Sequence, residues 1–209
     1  MKKGVIIIVA LAVIAAVAYY LFFDDKPQEA QTTAQKQKPV PLAISKNPEA
    51  FNVAFGQMMD AYYSLKNDLV NWDSTKAANT ATTLKQLVQE VPYDTLQADK
   101  NIVLTAKNFS DEIANQSEVL SKANNIEAER RAFNTISENL YSLINTVRYD
   151  REVIYHDMCP MAFNETEQAY WLSRDSTISN PYMGNKHPKY KSGMVTCGEV
   201  QDAINFASK

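Results

Sequence analysis

Glycine is scarce in this chain, with five in 209 residues, and cysteine, histidine and tryptophan are scarcer, with two of each. So few glycines leave little room for the loops that cradle phosphates. Neither a CxxCH haem attachment nor an HExxH metalloprotease helix occurs. No sign of charge dominates: the formal net charge is −3, without a basic stripe interleaved with aromatics. Nucleic acid is therefore excluded as an expected partner. No polybasic flank points to anionic lipid either. His156 and Cys159 are the nearest approach to a base and a nucleophile, but they stand three apart with no evident oxyanion-hole element, so the chain is not expected to be an enzyme.

What is present begins with a long apolar run. Lys2 and Lys3 precede an uncharged stretch, Gly4 to Phe23, made mostly of Val, Ile, Ala, Leu, Tyr and Phe. Spanning a bilayer core takes about 20 apolar helical residues, so residues 1–23 are expected to form a signal anchor. Ala16-Val17-Ala18 offers a small-x-small cleavage pattern, yet Tyr19 to Phe23 behind it continue the span with an aromatic belt. No cysteine follows the run, which argues against a lipoprotein. The paired lysines favour a cytoplasmic N-terminus. The expected location is the inner membrane, single-pass, with the C-terminal domain in the periplasm, where thiols tend towards disulfides. Residues 24–46, rich in Gln, Thr, Lys and Pro, read as a flexible spacer.

Helical periodicity starts at Asn47, an expected N-cap, with Pro48 at N1. Phe51, Phe55, Met58, Tyr62, Leu65, Leu69 and Trp72 form an apolar seam at spacings of four and three. Asp73 is placed to cap a second helix carrying Ala77, Ala81, Leu84 and Val88 and ended by Pro92. A third seam runs Ile102, Ala106, Phe109, Ile113 and Leu120, interrupted by Gln116. Asn124 with Glu127 forms a capping box for a fourth, with Ile126, Phe133, Ile136, Leu140, Leu143 and Val147. Helices one, three and four are expected to hold roughly 24–28 residues. The expectation is an all-α fold: an antiparallel up-down four-helix bundle over residues 47–150, forming a single domain (47–209) with the tail 151–209. That tail, punctuated by Pro and Gly, reads as irregular. Ala169–Leu172 and Met194–Cys197 are its candidate short strands, and Glu199 to Phe206 a last helical turn or two.

The tail also concentrates soft metal ligands. Both cysteines, both histidines and four of the six non-initiator methionines lie between His156 and Cys197. Thiolate, thioether and imidazole suit soft ions, Cu(I) above all. Cys159, Met161, Met158 and His156 form the compact HDMCPM segment and are the leading ligand candidates, with Cys197 and Met183 next. A competing reading leaves the metal out. A Cys159–Cys197 disulfide would close a loop of about 39 residues and stabilise the tail by roughly 4 kcal/mol. The chain is then an interaction or structural module of the cell envelope.

The tail resembles an uncharacterised bacterial domain family through Cys159-Pro160-Met161-Ala162, Tyr170-Trp171-Leu172-Ser173, Ile178, Asn180-Pro181-Tyr182, Gly184 and Cys197-Gly198. The likeness covers roughly residues 50–200 and is strongest over 155–200. That family occurs alone or fused to periplasmic adaptor subunits of heavy-metal efflux pumps of the copper/silver type. The resemblance implies metal traffic, with an efflux-pump adaptor or another envelope protein as partner. Cys159-Pro160-Met161 is also similar to the CPM core of small heavy-metal-binding domains. Those carry His after the Met and a downstream CPxCGM; here Ala162 follows, and only Cys197-Gly198 remains.

Overall fold

In the computed structural model, residues 46–207 are described. The expected anchor and most of the spacer lie outside them. Among the described residues, no helix is long and apolar enough to cross a membrane. Four helices come first: α1 (Glu49–Val70), α2 (Ser74–Glu90), α3 (Lys100–Ser121) and α4 (Ile126–Val147), with a short 3-10 turn, Tyr93–Thr95, before α3. Three strands follow: β1 (Ile154–Phe163), β2 (Glu167–Ser173) and β3 (Glu199–Ile204), in one antiparallel sheet of order β2-β1-β3.

Consecutive helices lie side by side, as short connections require. The seams of α1, α2 and α4 are buried as read, except that Trp72 falls in the turn beyond α1 and Ile126 is half-buried. Phe51, Phe55, Met58, Tyr62, Leu65 and Leu69 have no exposed surface, nor do Ala77, Ala81, Leu84 and Val88, or Phe133, Ile136, Leu140 and Leu143. The third seam holds in part. Ala106, Ile113 and Leu120 are buried as expected, but Ile102 is exposed and Phe109 half-buried, and Ser110, Ala114 and Ser117 turn inward beside them. Serine is tolerated there because its hydroxyl finds a carbonyl: Ser110 Oγ donates to Val88 O and Ser117 Oγ to Ile113 O. Two caps are shifted by one residue. Pro48, not Asn47, is the N-cap of α1, and Asn125, not Asn124, caps α4 by accepting from Ala128 N. Asn47 instead donates to the Val147 and Arg148 carbonyls at the end of α4. Asp73 caps α2 as expected, accepting from Lys76 N. The long helices hold 22 residues each, somewhat fewer than expected.

The all-α expectation is corrected by the sheet. The HDMCPM segment is the middle of the central strand, not an irregular stretch. β1 runs in register with β2 from Tyr155 to Cys159 and slips before Phe163, while β3 pairs with it only as far as Met158. Pro160 falls in that slip and beyond β3, where its missing N–H breaks no ladder bond. Met194–Cys197 is a turn, with Cys197 N donating to Met194 O, and Glu199–Ile204 is an edge strand rather than helix.

The bundle meets the sheet along the outer edge of β2. An edge strand leaves a row of backbone N–H groups unpaired, and buried ones need acceptors. Tyr170 N donates to Asn134 Oδ1 at 2.8 Å, and Leu172 N to the Tyr62 hydroxyl at 2.9 Å. Tyr62 Oη is also 2.7 Å from Ser137 Oγ. Its ring stacks on Phe133, with centroids 5.3 Å apart. One hydroxyl thus joins α1, α4 and β2. Replacing Tyr62 by phenylalanine keeps the ring but leaves the Leu172 N–H without its acceptor, so unfolding free energy should drop by about 1–3 kcal/mol in urea titrations.

Candidate functional site: a buried pair of thiols

Because β1 pairs with β2 without a slip from Tyr155 to Cys159, side chains alternate across it. His156 and Met158 share one face; Tyr155, Asp157 and Cys159 share the other. On the first face, His156 is stacked between Tyr141 of α4 and Tyr170 of β2, at 4.2 and 5.0 Å between centroids. Its Nε2 lies 3.5 Å from Glu138 Oε1, outside hydrogen-bond geometry. The imidazole is held by aromatic packing.

On the opposite face Cys159 has no exposed surface, and Cys197 is its half-buried neighbour; both are free thiols. Burial pushes the Cys159 thiol above its ordinary range. The Asn180 amide and the Met161 N–H beside its sulfur favour the thiolate and oppose that rise, while Cys197 adds to it. Asp157, two residues earlier on the same face, is fully buried, and neither of its carboxylate oxygens accepts a hydrogen bond among the described residues. Its carboxyl is pushed above the usual range, by burial first.

Two features of the connection between β2 and β3 bring Cys197 to this place. Asn180, fully buried, is the first. Its Oδ1 accepts from Tyr182 N and Met183 N at 2.8 and 3.0 Å, and its Nδ2 donates to Cys197 O at 2.6 Å. Its own N–H donates to Val195 O. One side chain therefore holds a tight turn and ties it to the returning chain. Gly198 is the second. At φ +138°, a Cβ there would lie 2.7 Å from Met158 O and 2.9 Å from the Trp171 ring, so only glycine lets the chain cross β1 and β2 so closely.

The six ligands expected from sequence are therefore divided. Cys159 and Cys197 come together, and Met161 contributes its backbone N–H beside them. His156 and Met158 lie on the other face of β1. Met183 is in the hydrophobic core, where its carbonyl accepts from Trp72 Nε1 at 2.9 Å. Among the described residues, no group of three or more His, Cys, Asp or Glu is placed to hold a metal ion. A pair of sulfurs remains. Such a pair can hold a soft ion in two-coordinate fashion or close to a disulfide. Sequence reasoning assigned no part to Asn180, although the residue stood in the string of likeness. A buried Asn just before Pro-Tyr is a turn signal, and its hold on Cys197 O depends on a contact 17 residues away.

Comparison with known proteins fits the helical part. Residues 58–152 match the model of a family described as "Protein of unknown function (DUF3347)". The match begins inside α1 and ends just before β1, so it falls on the bundle. The likeness expected to be strongest over residues 155–200 is outside the matched stretch. No curated protein and no solved structure matches the chain.

Proposed function

We propose that this is a membrane-tethered, periplasm-facing domain that holds a soft metal ion, Cu(I) or Ag(I), between the thiolates of Cys159 and Cys197. It buffers the ion or passes it to an efflux or maturation partner. The observation that carries this reading is the meeting of the chain's only two thiols at one place, with two N–H groups beside the Cys159 sulfur. Thiolate is the form that binds soft metal, and the donors beside Cys159 offset part of the burial that disfavours it. The half-exposed Cys197 gives an entering ion access, while the buried Cys159 keeps water from one side of it.

The test is a competition titration of the purified full-length chain, kept reduced, with Cu(I) against a coloured Cu(I) chelator. One equivalent should bind. Cys159→Ser and Cys197→Ser should each weaken binding by more than the roughly 10–100-fold typical of losing an outer-shell partner. His156→Ala should change it little. Burial holds the Cys159 thiol protonated beyond the ordinary range, so binding must displace protons, and apparent affinity should rise from about pH 6 to about pH 8. Absence of Cu(I) binding by the reduced chain would end this reading.

The same adjacency favours a second reading, in which Cys159 and Cys197 form a structural disulfide in an envelope interaction module. Thiol labelling of protein taken from the periplasm separates the two. Complete oxidation, unaltered by copper supply, selects the disulfide.

A further inference from the structure

A second site lies apart from the thiols, where the α1–α2 corner and the start of α4 meet the end of β1 and the β2–β3 connection. A cavity of about 210 Å³ opens there among Trp72, Glu127, Arg130, Ala162, Phe163 and Pro188. Arg130 is 5% exposed, and among the described residues no carboxylate lies within ion-pair distance of it. Two of the nearby acids are engaged elsewhere, and Glu129 offsets part of the Arg130 charge through space without an ion-pair contact. Glu127 pairs with Arg131, Glu165 with Lys189, and buried Glu129 accepts from Ser74 Oγ.

Buried arginine is normally paired, because an uncompensated charge out of water is costly. Arg130 has only partial compensation. Its Nε donates to Pro181 O at 2.9 Å, one Nη2 hydrogen reaches Leu69 O at 3.4 Å, and the guanidinium lies over the Trp72 ring at 4.1 Å from the centroid. A guanidinium has five N–H donors, so both Nη1 hydrogens and one on Nη2 are left without an acceptor among the described residues. Burial lowers its pKa to about 10, which still leaves it cationic at neutral pH. Its orientation is set in advance by two backbone carbonyls and an indole face, as a recognition site requires.

We infer that this cavity binds a small organic carboxylate, with the acid group on the free Nη1–Nη2 edge of Arg130 and an apolar or aromatic body against Trp72, Phe163 and Pro188. The planar guanidinium edge matches a carboxylate bidentately. With Glu127 on the wall neutralised by Arg131, the Arg130 edge suits one negative charge, and the apolar walls suit a ligand that carries carbon as well as charge. This inference does not depend on metal at Cys159 and Cys197, and the Cys159→Ser chain is expected to retain it.

The probe is benzoate, with benzyl alcohol as its uncharged counterpart, titrated calorimetrically and by tryptophan emission into the full-length chain. Benzoate should saturate with a dissociation constant below about 10 mM, and benzyl alcohol should bind at least tenfold more weakly. Arg130→Lys keeps the charge but loses the fork, and should weaken benzoate at least tenfold. Ala162→Leu fills the cavity from its β1 wall and leaves the Arg130 side chain itself unchanged, so it decides the matter if the Arg130 variant does not fold. It should abolish benzoate binding while the circular dichroism and melting temperature stay near those of the parent. Equal binding of the alcohol, no saturable benzoate binding by the parent, or unchanged benzoate binding in folded Ala162→Leu would each overturn the inference.

Discussion

Asn180→Ala is expected to lower unfolding free energy by at least about 3 kcal/mol and to expose Cys159 to thiol reagents. The amide makes three hydrogen bonds in a place with no solvent access, to Tyr182 N, Met183 N and Cys197 O. Alanine leaves two donors and one acceptor without partners, and each such buried orphan costs about 1–3 kcal/mol. The consequence for the site is separate from the cost in stability. Once the tie to Cys197 O is gone, the returning chain is held to the turn by the Asn180 N–H to Val195 O bond, and Cys197 is no longer kept beside Cys159. Denaturant unfolding measures the first effect; the rate of Cys159 alkylation under native conditions measures the second. An alanine variant within about 0.5 kcal/mol of the parent would show that the turn does not rely on Asn180.

The helices were readable because their apolar spacing is dictated by one-sided burial. Phe51 to Leu69 and Phe133 to Leu143 each face a single core, so a period near 3.6 is written into the chain. α3 was less legible, because Ser110 and Ser117 do core duty by bonding carbonyls and look polar in a hydropathy pattern. β1 was hidden for a different reason. A central strand packed on both faces has no alternation to show, and Asp157 and Pro160 break what apolar run there is. Its proline is harmless only because the pairing slips at that point, which no local window reveals. β3 failed in the opposite way: it is an edge strand whose residues Glu199 to Ala203 are exposed, so little burial pattern was available.

The candidate site was half legible. Composition located the soft ligands, but only strand alternation divides His156 and Met158 from Cys159. Arg130 is easy to pass over in the sequence, because it sits beside Arg131, which is an ordinary exposed partner of Glu127 and Glu167. What distinguishes the two arginines is their helical phase: one projects into the core-facing surface of α4 and the other into solvent. A charge on the buried phase of an amphipathic helix is the pattern that could have marked it.

Two glycines predict opposite results for the same substitution. Gly184 has φ +60°, and a Cβ there would lie 2.4 Å from Trp72 Nε1 and 2.6 Å from Val70 O. Neither neighbour can yield cheaply. The indole is pinned by its bond to Met183 O, and Val70 O accepts from Asn185 N at 2.8 Å. Trp72 itself is held at φ +57°, a conformation that non-glycine residues adopt at a cost. Gly184→Ala should therefore destabilise by roughly 3 kcal/mol or more, through overpacking and a strained backbone together. It should also displace Trp72 from the wall of the Arg130 cavity. Gly56 lies inside α1 without positive φ, and its Cβ would meet only the Tyr149 hydroxyl, at 3.4 Å. There alanine relieves the helix of glycine's entropic cost, and Gly56→Ala should stabilise by about 0.5–1 kcal/mol. Thermal and urea unfolding of both variants beside the parent give the two signs. A neutral Gly184→Ala would mean that the β2–β3 connection is free to move away from α1, and that Trp72 owes its position to the helix end alone.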